Sequence, residues 1–265
     1  MTFARRRPLV LGLIAAAATL CAAGVHAQAA LDNVMKSRNI KIAIPTDYPP
    51  YGFVGPDMAP QGLDIDMARL IAAKLGVKVD LIPVSSANRI PYLQTGKADL
   101  VISTLGKNPE REKVLDFSAA YAPFFQAVFA PKSMNVRKFS DLTGKTVAVT
   151  RGAMEDQELN KMIPTGVDVR RFEDNNATIA AYVAGQTQAI ATSASVAGNM
   201  MAKNPGIGAE YKLLLKESPC FIGMSKGEEA LKTKVNAIIL EAKADGTLDR
   251  MSKKWLGRAT GDLPL

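Results

Sequence analysis

Leu63-Asp64-Ile65-Asp66-Met67-Ala68-Arg69-Leu70-Ile71-Ala72-Ala73-Lys74-Leu75, followed by Gly76, is the stretch on which the fold turns. Ile65, Met67, Leu70, Ile71 and Leu75 recur close to the helical period, so one face is apolar. Gly76 sits where a helix takes its left-handed stop. On either side lies a short apolar run, Ile40 to Ile44 before the helix and Val77 to Val84 after it. Strand, helix, strand predicts a crossover unit in a mainly parallel α/β sheet. The alternation continues with a short helix over Ala87 to Thr95, stopped by Gly96, and a buried strand over Leu100 to Ser103. Pro45 to Gly55, rich in Pro and aromatics, reads as a loop.

The pattern then starts again. Thr146 to Thr150, Val167 to Phe172 and Ala189 to Thr192 read as strands, with helices over Glu155 to Met162 and Ala177 to Ala184 between them. Leu93 to Thr104 and Tyr182 to Ser193 share one layout: a helix end, a Gly, three residues of mostly polar character, and a strand ending in hydroxyls. Two similar lobes account for this, as does coincidence between two ordinary helix-to-strand turns. A strand over Phe221 to Ser225 and helices over Glu228 to Ala244 and Thr247 to Trp255 complete the chain.

The first residues carry a different message. Arg5-Arg6-Arg7, an apolar run from Leu9 to Ala23, and Val25-His26-Ala27 form the basic, apolar and small-residue sequence of a secretory signal. Cleavage is expected after Ala27, which makes the mature protein periplasmic. No later apolar run approaches membrane-spanning length. The 265 residues carry a formal charge of +8. Residues 1–27 hold three Arg and no acid, so a smaller positive surplus remains after cleavage. No basic cluster interleaves with aromatics, which argues against nucleic acid as a partner. The single His of the sequence is His26, and Cys220 is the one Cys beyond the signal. A Ser-His-Asp or Cys-His triad is therefore excluded from the mature chain, and neither a metal site nor a cofactor is implied.

Four blocks, in order along the chain, resemble the periplasmic polar amino-acid-binding proteins of ABC importers. They are Tyr48-Pro49-Pro50-Tyr51, then Gly62 to Ala68 with Lys74 to Val77, then Asn108-Pro109-Glu110-Arg111 with Asp116 to Tyr121, and last Ala244 to Thr247 with Lys254 to Gly257. The resemblance implies a type II periplasmic binding fold: two similar α/β lobes joined by a two-strand hinge, with ligand trapped as they close. It places lobe 1 at 28–122 and 220–265, and lobe 2 at 123–219. The expected partners are a small carboxylate or amino-acid ligand and an inner-membrane permease, and the chain is expected to be a monomer without catalytic residues.

The same resemblance nominates the ligand site. Asn108 caps a helix with Pro109 at its first position, so Arg111 falls in the first turn, where a guanidinium grips a carboxylate. Ser103, Thr104 and Gly106 match strand-end donors for that carboxylate, and Tyr48 matches an aromatic packed on the ligand. Arg89 lies in a stretch resembling the glutamate- and aspartate-binding members, and Arg151 lies on the loop by which lobe 2 meets the ligand. Three Arg in one cleft favour a ligand with more than one carboxylate.

There are two departures from that pattern. Ser193 stands where members of this family carry an Asp for the α-ammonium, and Pro45 stands where many carry an Asp in the first loop. Glu155 and Asp156 are candidate replacements, and a simple dicarboxylate is the alternative ligand. Two other functions also fit the resemblance. Exported cyclohexadienyl dehydratases share the architecture, although Thr192-Ser193-Ala194-Ser195 lacks the acid such chemistry uses. A ligand-sensing partner of a membrane receptor is the other.

Overall fold

The protein is described here from a computed structural model, over residues 29–264. The expected signal, residues 1–27, lies outside the described residues. Lobe 1 begins with α1 (Ala29–Ser37), β1 (Asn39–Ile44), β2 (Asp47–Tyr48), β3 (Gly52–Val54), β4 (Pro60–Gln61), α2 (Leu63–Leu75) and β5 (Lys78–Pro83). It continues through α3 (Arg89–Gln94), β6 (Leu100–Leu105), α4 (Pro109–Glu112) and β7 (Leu115–Ala122). The chain then crosses over. Lobe 2 comprises β8 (Phe125–Pro131), β9 (Thr146–Thr150), α5 (Met154–Met162), β10 (Asp168–Phe172), α6 (Asn175–Val183), β11 (Ala189–Ser193), α7 (Ala194–Lys203) and β12 (Ala209–Glu217). A second crossover returns the chain to lobe 1 as β13 (Cys220–Ser225), α8 (Glu229–Ala244) and α9 (Thr247–Leu256).

Each lobe is built on a five-stranded sheet, in the orders β5-β1-β6-β13-β7 and β10-β9-β11-β8-β12. Three strands in each are parallel and follow the order second, first, third. The two stretches that share a layout, Leu93 to Thr104 and Tyr182 to Ser193, both deliver the third of these strands, β6 and β11. The sheets are mixed, where the sequence pattern predicts mainly parallel ones. The strands that enter and leave the crossovers, β7 with β13 and β8 with β12, run antiparallel because the chain passes between lobes once in each direction.

Apolar periodicity becomes packing as expected. Helix α2 buries Leu63, Ile65, Met67, Ala68, Ile71, Ala72 and Leu75, and Gly76 ends it at φ 70. Ile238 and Ile239 of α8 join the same core, which lies against one face of the lobe 1 sheet. In lobe 2, Val147 and Val149 of β9 pack against Leu159 of α5, while Ile190 of β11 packs against Ala197 and Met200 of α7. Asp64, in the first turn of α2, is 0% exposed and breaks the apolar rule. The segment expected to be a loop carries a small antiparallel sheet, β2-β3-β4. That sheet fixes the approach of Asp47 and Tyr48 to lobe 2.

Candidate ligand cleft

The lobe 1 wall forms where β6 ends. Asn108 caps α4, its Oδ1 accepting from the Arg111 N–H at 2.9 Å, with Pro109 in the first turn. That cap turns Arg111 inward, where it is 3% exposed. Its Nη1 donates to the Gly106 carbonyl at 2.8 Å and its Nη2 to the Gly152 carbonyl of lobe 2 at 3.2 Å. Its Nε is buried without a hydrogen-bond partner. Arg89, 4% exposed, donates to the carbonyls of Ser86, Ser103 and Gly152, the last at 3.3 Å. Burial lowers the pKa of both guanidiniums, and for Arg111, with Arg89 beside it, to about 9. Neither forms an ion pair among the described residues. Buried cations satisfied only by carbonyls mark a place that favours an anion.

The segment between the two arginines is held from below. Thr104 adopts φ 45, a conformation that costs a non-glycine residue about 1 kcal/mol or more. The Asp64 carboxylate accepts from its N–H at 2.8 Å and from the Tyr121 hydroxyl at 2.7 Å. Burial pushes the Asp64 carboxyl up to about 7, against the pull of those two hydrogen bonds. A Cβ added to Gly106 would lie 2.5 Å from Met154 Cε, so the Met154 methyl of lobe 2 rests on this segment.

Lobe 2 supplies the opposing wall through β11 and the N-terminus of α5. Glu155 is 4% exposed, and its Oε1 accepts from the Tyr48 hydroxyl of lobe 1 at 3.0 Å. The same hydroxyl accepts from the Ser193 N–H at 3.3 Å, while Ser193 Oγ caps α7 by accepting from Val196. Burial pushes the Glu155 carboxyl up, and the Tyr48 hydrogen bond and the two arginines oppose it. Asp47, two residues beyond Pro45, clasps lobe 2: its carboxylate accepts from the Asn175 N–H at 2.7 Å and from Asn175 Nδ2 at 3.0 Å. Asn108 Nδ2 also crosses the cleft, donating to Gln157 Oε1 at 2.7 Å.

The structure therefore brings Arg111, Arg89, Ser103, Thr104, Gly106, Tyr48, Ser193 and Glu155 to one cleft. Arg151 is not among them. Its side chain is 50% exposed and pairs with Glu173 at 2.9 Å, because the chain turns at Gly152 and presents the Gly152 carbonyl, not the Arg151 guanidinium, to lobe 1. Asp47, Met154 and Asn175 are cleft residues that sequence reading misses, and Asp47 is the charged one among them. Its signal was an acid in the first loop, displaced from the position of Pro45. With the lobes together, the cavity lined by Asp47, Tyr48, Arg89, Thr104, Met154 and Glu155 holds about 10 Å³. That is about one water, too little for an organic ligand in this closed arrangement.

Two α/β lobes, joined by two crossovers and closed over buried arginines, define a solute-binding architecture. Residues 40–258 match the bacterial extracellular solute-binding proteins, family 3, and the chain belongs to that family. The ABC transporter glutamine-binding protein GlnH of Bacillus subtilis is 29% identical over 222 residues, covering 82% of this chain and 81% of the relative. The L-cystine-binding protein TcyJ of Escherichia coli is 28% identical over 229 residues, covering 86% of each. Among solved structures, an ancestral arginine-binding protein bound to arginine aligns with a TM-score of 0.78 and 33% identity, over 83% of this chain and 98% of that one.

Proposed function

We propose that this protein is the periplasmic capture subunit of an ABC importer for an amino acid. It would be exported by a signal cleaved after Ala27, with lobe boundaries at 122/123 and 219/220. The observation that carries the reading is the pair of buried arginines, Arg89 and Arg111, whose Nη2 atoms converge on one carbonyl oxygen, that of Gly152. A carbonyl oxygen carries only a partial negative charge. A ligand carboxylate in its place would answer both cations with full charge and with paired hydrogen bonds. Ser103, Thr104 and Gly106 would line that carboxylate on lobe 1. As ligand contacts accumulate on both walls they favour closure, and a membrane permease reads the closed shape. The names of the relatives, binders of glutamine and cystine, support an amino acid as the ligand class. Family membership and those same names support a binding role over the dehydratase alternative.

The test is a thermal-shift screen of the processed protein, after unfolding and refolding, against amino acids and common di- and tricarboxylates. A ligand that binds only the folded state raises its apparent stability. A shift with one or more amino acids is expected. A shift confined to carboxylates without an amine would replace the amino-acid reading with a dicarboxylate one.

A further inference from the structure

Across the cleft from the two arginines stands one carboxylate in a comparable predicament. Glu155 is 4% exposed, forms no ion pair among the described residues, and has a single hydrogen bond to another residue, from the Tyr48 hydroxyl. The other acids near the cleft are committed. Asp47 holds the Asn175 N–H and side-chain amide. Asp64 holds the Thr104 N–H and the Tyr121 hydroxyl, and Asp156 holds the Gly152 N–H and Arg171. Ser193, at the end of β11, has its Oγ spent on capping α7 and offers no charge. The cleft thus has a cationic wall on lobe 1 and, where Glu155 is ionised, an anionic wall on lobe 2. Each is desolvated and each lacks an ion-pair partner, which is the costly condition for a buried charge.

We propose that Glu155 receives the α-ammonium of the ligand, and that it selects α-amino acids over carboxylates of equal size that lack the amine. This rests on the amino-acid reading above and names the group that enforces it. A zwitterion laid across the cleft neutralises both walls at once, its carboxylate on Arg89 and Arg111 and its ammonium on Glu155. An analogue without the amine leaves Glu155 buried and unpaired in the closed form, and the cost of that is the basis of selection. Because the two charges of the ligand meet different lobes, the amine also contributes to closure.

Protons follow from the same geometry. Burial raises the Glu155 pKa in the empty site and an ammonium beside it would lower it, so binding at a pH where Glu155 is protonated expels a proton. The groups facing Glu155 are Tyr48 and Asp47 from β2, Arg89 from α3, Arg111 from α4, and Ser193 from β11. Tyr48 is held well above its usual range and Arg111 sits at about 9, so neither changes charge between pH 5 and pH 7. Asp64, pushed up to about 7, titrates in that range.

The experiment is calorimetric titration of the processed protein with the amino acid that gives the largest thermal shift, and with its deaminated analogue, for wild type and Glu155→Gln. Wild type is expected to prefer the amino acid by roughly 100-fold or more, and the variant to lose at least about tenfold of that preference. The loss should come from weaker amino-acid binding, with analogue binding unchanged or tighter. Equal weakening of both ligands, or an intact preference, overturns the assignment. A parallel measurement serves if the variant fails to fold. In two buffers of different ionisation enthalpy, at several pH values from about 4 to about 8, wild type and Asp64→Asn should release a proton in part of that range on binding the amino acid and none on binding the analogue. No release with the amino acid, or equal release with both, also overturns it. If no amino acid binds wild type while a carboxylate does, the parent reading has failed, and that outcome is visible before any variant is made.

Discussion

Replacing Arg111 separates a ligand-binding group from a structural one. The guanidinium makes hydrogen bonds of 2.8 Å and 3.2 Å to the Gly106 and Gly152 carbonyls, and its Nε has none. Arg111→Ala frees those carbonyls, a penalty of about 1–3 kcal/mol each while they stay dry. The same change removes a desolvated cation whose burial opposed folding. These opposed contributions should leave the melting temperature of the ligand-free protein within about 5 °C of wild type. In ligand affinity the lost partner outweighs the release of the Gly152 carbonyl, because that carbonyl carries only a partial charge. A carboxylate losing a buried guanidinium partner forfeits about 2–5 kcal/mol, or roughly 30- to 5000-fold in Kd. Arg111→Lys, which keeps the charge but not the planar fork, should recover only part of this. Calorimetric titration with the thermal-shift hit gives the Kd, and scanning calorimetry gives the melting temperature. A loss of affinity below about threefold, with the fold intact, would show that the carboxylate sits elsewhere.

Asp64 is held at about 7 in the fold, above the ordinary carboxyl range, so the native state binds more protons than the unfolded chain from about pH 4 to about pH 7. Its contribution to stability therefore falls as pH rises through that window, by up to ~4 kcal/mol at the full shift. Asp64→Asn should flatten that slope in urea titrations run at several pH values, and an unchanged slope would assign it to other groups. Asp47→Ala removes the acceptor of both Asn175 donors, so the clasp between lobes weakens by about 1–3 kcal/mol. Small-angle scattering of the ligand-free variant should show a larger radius of gyration, and an identical profile refutes the clasp. Gly152→Ala places a Cβ 2.9 Å from the Ala87 Cα of lobe 1, at a φ of 72. It should open the ligand-free protein in the same assay, and a profile matching wild type would show that this approach does not limit closure.

Much of the fold was legible because burial writes period into sequence. The α2 helix was readable to its last residue, since Ile65, Met67 and Ile71 all face the core and Gly76 takes a conformation that favours glycine. The sequence pattern does not mark helices α1 and α7 or strands β7, β8 and β12. β7 is buried on both faces, so it alternates nothing, and β12 is an edge strand with Tyr211 and Leu214 exposed. Arg111 was findable because its cap is local, Asn108 lying three residues away. Arg151 misled because sequence places a residue on a loop without saying which way the loop turns, and at Gly152 the backbone faces the cleft instead of the side chain. Asp47 was hidden because its role depends on Asn175, far along the chain and in the other lobe.

Under the proposed mode of binding, the Gly152 carbonyl, shared by two guanidiniums, acts as a competitive inhibitor tethered to its own target. It cannot be diluted or washed away, and its effective concentration is set by how readily the lobes come together. Under the proposed mode of binding, the measured affinity is the intrinsic affinity scaled by the fraction of molecules that have let this carbonyl go. Affinity is then adjustable from a distance. A change in lobe 2 that never touches the ligand, but loosens the grip of Arg89 and Arg111 on Gly152, would tighten capture by making the empty protein less content to stay shut.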